Sequence, residues 1–306
     1  MKKSFFPALA VVVLLLLLTH PLLSFEGASH GLLLWYQTVL PTLLPFMICS
    51  NVIVSLGGIR LLTAPVRPLL KNMLCLSDAG SYVLISGLLC GYPMGAKTCS
   101  EFVEQGRITP SEGRYLLSVS NHPSPMFLLG YVASALSPSV PTSMILTALY
   151  VPILPIAFLS QAVYGIHEPC VSGPPKDKKA PSFDQSMMAS FEVMVKIGGY
   201  IMLFSILAEF ISQIPVLPNA FQAVLLGMVE ITTGIQAAAH TFSGIRQGMV
   251  LCLITAFGGI CGLFQTKSVL KSQSLSAVHY LCWKLLHCAL SLAVFMLLAA
   301  SCSPGH

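Results

Sequence analysis

The sequence predicts an all-α polytopic membrane protein: two inverted repeats of broken or re-entrant helices, with an extra N-terminal transmembrane helix. Three observations carry that expectation. Of 306 residues, 55% are hydrophobic and 9% charged, whereas soluble domains average about 25% charged. Apolar runs long enough to cross a hydrocarbon core of about 30 Å recur along the chain. Glycine and proline interrupt those runs at matching places in the two halves. The net charge of +5 is spread over loops, so it speaks to membrane orientation and excludes nucleic acid as a partner. The ten cysteines form no C-x-x-C pair. Cys49, Cys90, Cys252, Cys261, Cys282 and Cys288 lie in apolar runs, where cysteine behaves as a small hydrophobe. Neither a zinc site nor a disulfide framework is expected, and no cofactor motif is present.

Residues 1–30 read as the extra transmembrane helix and a short external loop. Lys2 and Lys3 precede an uncharged run from Phe5 to Leu23, and no small-x-small cleavage pattern follows. An uncleaved span with a cytoplasmic N-terminus is therefore expected, in preference to a signal peptide. Residues 31–167 form the first repeat. Gly31 to Gly58 is uncharged, with Trp35 and Tyr36 suited to the interface, and Arg60, Arg67 and Lys71 mark its far end as cytoplasmic. Ser77-Asp78 can cap the helix that enters a glycine-rich stretch. Thr109-Pro-Ser-Glu112 reads as a capping box with proline at the first helical position. That helix should break at Asn121-His-Pro-Ser-Pro125, and a span from Pro141 to about Tyr164, bent by Pro152 and Pro155, closes the repeat.

Residues 168–182 read as a basic cytoplasmic linker, and residues 183–306 as the second repeat. Ser182-x-x-Gln185 can cap a helix that reaches about Leu217 and contains Glu209. Asn219 is expected to cap the segment holding Gly227-Met-Val-Glu-Ile-Thr-Thr-Gly234. Met249 to Thr266 contains Phe257-Gly-Gly-Ile-Cys-Gly262, and a last span runs from about Ala277 to Ala300.

The stretch Gly87-Leu-Leu-Cys-Gly-Tyr-Pro-Met-Gly-Ala-Lys97 organises the first repeat. Gly87, Gly91 and Gly95 leave a bare strip for close backbone approach, and Pro93 should break the helix near Gly91-Tyr92. Broken backbone survives in hydrocarbon only when buried in protein or lining a watery cavity, so the stretch should sit centrally. The plainer alternative is a glycine packing face with a proline kink and a snorkelling Lys97.

The two halves match in order. The long helix, Gly87-x7-Gly95, the Asn121 break and a final span correspond to the long helix, Gly227-x6-Gly234, Phe257-Gly-Gly and a final span. Charge placement implies that the first repeat starts outside and the second from the basic linker, which makes them inverted; nine full spans is the competing arrangement. Inverted repeats with matching broken segments point to a solute site between the halves of a secondary transporter. The candidate substrate-binding residues are Gly91, Tyr92, Pro93, Gly95, Lys97, Asn121, Ser124, Glu230, Thr232, Thr233, Gly258, Gly259 and Gln265. Glu230 stands out as an acidic residue amid apolar sequence, where a charge needs an interior partner or a water path. It should hold the coupling proton or cation, or pair with Lys97 or Lys284. His122, His279 and His287 read as hydrogen-bond partners.

Gly91-Tyr-Pro-x-Gly-Ala-Lys97, the Asn121 break after a Thr-Pro-x-Glu cap, Gly-x-x-Glu-Ile-Thr-x-Gly around Glu230, and Phe257-Gly-Gly with Gln265 resemble the sporulation integral membrane proteins of the YlbJ type, grouped with nucleoside-recognition, or Gate-domain, membrane proteins. The likeness covers nearly the whole chain after residue 30. It implies the cell membrane of a spore-forming bacterium, a part in sporulation, and kinship with Gate domains of nucleoside and iron transport proteins. The family often has Asn-Asn-Ser-Gly-Pro where this chain has Asn121-His-Pro-Ser-Pro125, which makes the second break stiffer here.

The expected function is a secondary transporter or permease for a small polar solute, nucleoside-like or an ion. A non-transporting membrane scaffold or assembly factor for spore formation is the alternative. No H-E-x-x-H, nucleophile elbow or Walker A sequence is present, so an enzyme or a self-contained ATP-driven pump is not expected. Partners are the bilayer, the solute or coupling ion, and a second copy or other sporulation membrane proteins.

Overall fold

The computed structural model describes residues 2–168, 170–171 and 182–302, and they are helical with no strand among them. Among the described residues, five helices are long and apolar enough to cross a membrane: Pro21–Ser55, Thr142–Tyr164, Phe183–Ser212, Gly244–Val269 and Ala277–Ser301. A sixth span arises if the bent pair Arg67–Leu74 and Asp78–Cys90 counts as one. Residues 172–181 of the expected linker lie outside the described residues.

The N-terminal helix Lys2–Thr19 ends at His20, and Pro21 starts the next helix at once. Residues 24–30, expected as an external loop, are helical. The signal missed is Gly27-x3-Gly31, a small-residue face on which the Phe183–Ser212 helix lies. A Cβ on Gly27 would stand 2.6 Å from the Ile206 Cα, and one on Gly31 2.8 Å from the Met202 Cα. Without a hydrophobic driving force between helices in lipid, such backbone proximity is what holds them together. Trp35 extends the seam: its Nε1 donates to the Met194 carbonyl at 2.9 Å, and its ring lies over the bare Gly198. Asn51 closes the seam, donating to Ser190 Oγ at 2.9 Å.

Caps behave largely as their residue types dictate. Ser77 Oγ accepts from Gly80 N at 2.9 Å, and Ser182 with Gln185 forms the reciprocal capping box. Thr109 accepts from Glu112 N at 3.1 Å. The Glu112 carboxylate does not return to Thr109, however; it accepts from Ser77 N at 2.8 Å. One buried carboxylate thus ties two helix starts together. Asn219 is the first helical residue and makes no side-chain cap; Pro218 holds the cap position. The long helix of the second half stops at Ser212, short of the expected Leu217.

Each half contains a helical hairpin built on paired glycines. In the first, Asp78–Cys90 ends at Gly91, whose φ of +81° favours glycine, and Met94–Glu104 folds back. In the second, Asn219–Val229 and Ile231–Thr241 are separated by Glu230 alone. Gly87 meets Gly95, and Gly227 meets Gly234, across the two hairpins. The arms hold 13, 11, 11 and 11 residues, roughly 16–20 Å each at 1.5 Å per residue, well short of a bilayer core.

The packings repeat along with the element order. Leu40–Ser55 lies on Asp78–Cys90, and Phe183–Ser212 on Asn219–Val229. The first arm of each hairpin touches both parts of the broken element that follows: Pro110–Val119 and Pro125–Phe127 in one half, Gly244–Phe257 and Gly259–Val269 in the other. The closing helix of each half lies on the first part of that element. The halves meet where Pro21–Leu34 lies on Phe183–Ser212, where Thr142–Tyr150 lies on Ala277–Cys302, and where Met94–Glu104 lies on Gly259–Val269.

Candidate functional site

Four interruptions of helix converge at the centre. Gly91 lies against the second break: a Cβ there would stand 2.8 Å from Ser124 N, and Tyr92 N donates to the His122 carbonyl at 3.1 Å. Gly259 lies against the Val229 carbonyl and Ile231 N, each 3.2 Å from where its Cβ would be. Tyr92 joins the halves, its ring 3.4 Å from the Cβ position of Gly258 and 3.3 Å from that of Gly262. A side chain at Gly262 would crowd the ring, while Gly258 and Gly259 adopt φ of +77° and +71°, which favours glycine.

A cavity of about 280 Å³ opens beside these breaks. Gly91, Tyr92, Ser124, Glu230, Thr232 and Gln265 are among its lining residues. Sequence reasoning missed other lining residues in two groups, Gln37, Thr38 and Thr42, and Phe127, Gly130 and Tyr131. Both groups include residues of π-helical turns, Trp35–Val39 and Leu128–Val132. Pro41 explains the first: its ring would crowd the carbonyl four residues back, and the wider turn carries Leu40 N to the Trp35 carbonyl. Polar Gln37, Thr38 and Thr42 in an uncharged run were the available signal; the π turn that directs them was not visible.

Glu230 is buried and caps the helix it precedes. Its Oε2 accepts from the Thr232 hydroxyl, from Thr233 N at 2.8 Å and from the Thr233 hydroxyl at 3.0 Å. A carboxylate there meets free N–H groups and the positive end of the helix dipole. Neither expected lysine partner reaches it. Lys97 pairs with Glu101 at 2.9 Å, one turn along its own helix. Lys284 donates to the Asn121 carbonyl at 3.4 Å and lies over the faces of Tyr92 and Tyr280, 5.4 and 6.0 Å from the ring centroids. Among the described residues no basic group lies within ion-pair distance of Glu230. The negative end of the site is held by N–H and hydroxyl dipoles, and Glu230 still borders the cavity.

Pro93, Gly95 and Asn121 are not among the cavity-lining residues. Asn121 accepts from Ala96 N at 3.3 Å and donates to Thr266 Oγ1 at 3.0 Å, binding the first-half break to the second half. Pro93 holds the cap position of Met94–Glu104 without capping it, and Gly95 lies against Ser120. Ser124 caps its own helix through Phe127 N at 3.2 Å. His122 and His287 place their rings 4.3 Å apart, and His287 reaches the Leu149 carbonyl at 2.8 Å. His279 is exposed.

Long apolar helices, paired hairpins and a largely apolar cavity amid broken backbone define a multi-pass integral membrane protein. Its sequence is similar to the sporulation integral membrane protein YlbJ of Bacillus subtilis (strain 168), 23% identical over 337 aligned residues that cover 96% of this chain and 81% of the relative. That similarity supports the YlbJ-type assignment. No family model matches the chain, and no solved structure matches it.

Proposed function

We propose that the chain is a secondary transporter or permease for a small polar solute, acting in the cell membrane during spore formation. The observation that carries this reading is the convergence of broken helices from both halves on one cavity bordered by the Glu230 carboxylate. Broken helices expose N–H and carbonyl groups that bind solutes and ions, and a site between repeats lets one half rock against the other. In this reading the two glycine hairpins are re-entrant, the halves are inverted and the N-terminus is cytoplasmic. The matching hairpin arms, each too short to cross the bilayer, support it. The sporulation role rests on the relative's name and the Gate-domain kinship on the sequence resemblance.

The test is uptake into proteoliposomes of nucleosides, nucleobases, amino acids and small organic acids, with and without a proton or sodium gradient. Saturable uptake of one class, abolished by Glu230→Gln, is the expected result. No uptake of any class, with spore formation still dependent on the gene, would favour the non-transporting scaffold.

A further inference from the structure

Residues 56–72 form a face that the cavity does not use. After the first long helix, Ile59–Thr63 and Arg67–Leu74 precede the first hairpin, and Arg67–Leu74 meets Asp78–Cys90 at 105°. Leu70 and Leu74 turn into the core, while Leu56, Leu61 and Leu69 remain 80%, 83% and 55% exposed. Exposed Arg60, Arg67 and Lys71 stand among these leucines. The sequence has no acidic residue between Glu26 and Asp78. Asp78 receives both arginines, Arg67 Nε at 2.7 Å and Arg60 Nε at 3.5 Å. One carboxylate shared by two guanidiniums leaves a positive charge over, and Lys71 adds another.

We infer that this face binds an anionic phospholipid, with Arg60 and Lys71 on the headgroup phosphate and Leu61 and Leu69 among the upper acyl carbons. The headgroup–acyl boundary is the environment that satisfies cations and exposed leucines together. The near-right-angle turn fits as well, because a helix perpendicular to an inserted arm lies along the membrane surface. Free phosphate would answer the charges and leave the leucines in water, so the occupant is lipid. This inference is independent of transport.

The purified full chain is tested by native mass spectrometry with phosphatidylglycerol or phosphatidylcholine of equal chain length. Phosphatidylglycerol should be retained preferentially, and millimolar inorganic phosphate should not displace it. The double variant Arg60→Gln/Lys71→Gln should lower its retention roughly tenfold or more, each cation near an anionic surface contributing about 1 kcal/mol. Arg246→Gln, an exposed cation in the other half, should change nothing. Leu61→Gln/Leu69→Gln keeps every charge and should also lower retention, which guards against misfolding of the first variant. Unchanged retention in either double variant, equal retention of phosphatidylcholine, or displacement by inorganic phosphate would overturn the inference.

Discussion

A Cβ on Gly87 would stand 2.9 Å from the Cα of Gly95, so the arms of the first hairpin meet backbone to backbone. Gly87→Ala and Gly234→Ala should each destabilise the protein by about 1–3 kcal/mol, the usual cost of overpacking. Gly130 and Gly199 face open space, and alanine there should stay within about 0.5 kcal/mol of wild type. Reversible unfolding in mixed detergent measures all four. Equal effects at the two sets of positions would show that the hairpins tolerate a wider approach.

Glu230→Gln should fold with a near-native melting temperature and lose solute uptake. The amide oxygen can still accept from Thr233 N, while the charge bordering the cavity is gone. Lys284→Met and Lys97→Met should not restore uptake, because neither lysine lies against the carboxylate. Glu230→Ala also removes the cap, at a cost of about 1 kcal/mol. Full uptake by the Gln variant would reduce Glu230 to a helix cap.

Glu112 lies outside the five long apolar helices, in a short helix joined to Ser77. Burial pushes its carboxyl above the ordinary glutamate range, and hydrogen bonds from Ser77 pull it part of the way back. The folded state therefore holds the proton more tightly than the unfolded chain. The resulting stabilisation is complete below the unfolded value of about 4.3 and is lost as pH rises through the higher folded value. Glu112→Gln keeps an acceptor for Ser77 N and should flatten the stability–pH profile above about pH 4.3. Thermal melts of both proteins across that window test it, and superimposable profiles would contradict the assignment.

Inversion of the halves requires each hairpin to return to the side it left. In a Cys-less background, Gln105→Cys and Asp177→Cys should be labelled by an impermeant maleimide from one side, and Leu217→Cys from the other. Labelling of positions 105 and 177 from opposite sides would leave the repeat of packings intact and remove its inversion.

Much of this architecture is legible in the residues themselves. Low charge and long apolar runs dictate a polytopic membrane helix bundle, because lipid offers no other way to satisfy the backbone. Thr109, Ser182 and Ser77 mark helix starts through local hydrogen bonds, and Pro93 and Pro123 mark breaks by removing donors, so neighbouring sequence suffices to place them. Gly87 with Gly95, and Gly227 with Gly234, signal close approach by the absence of side chains. What these glycines approach was not encoded locally; only folding showed that each pair closes a hairpin upon itself. Tertiary structure also decided the partners of the charged groups. Glu230 found the N–H and hydroxyl groups of Thr232 and Thr233, Lys97 found Glu101, and Lys284 found the Asn121 carbonyl, although sequence proposed an ion pair. A buried charge takes whichever dipoles or counter-charges packing brings within about 3–4 Å, and that choice depends on residues more than a hundred positions away, as with Lys284 and Asn121. The cavity wall of Gln37, Thr38 and Tyr131 likewise depends on two π turns, whose extra residue rotates a helix face without leaving a mark in hydropathy.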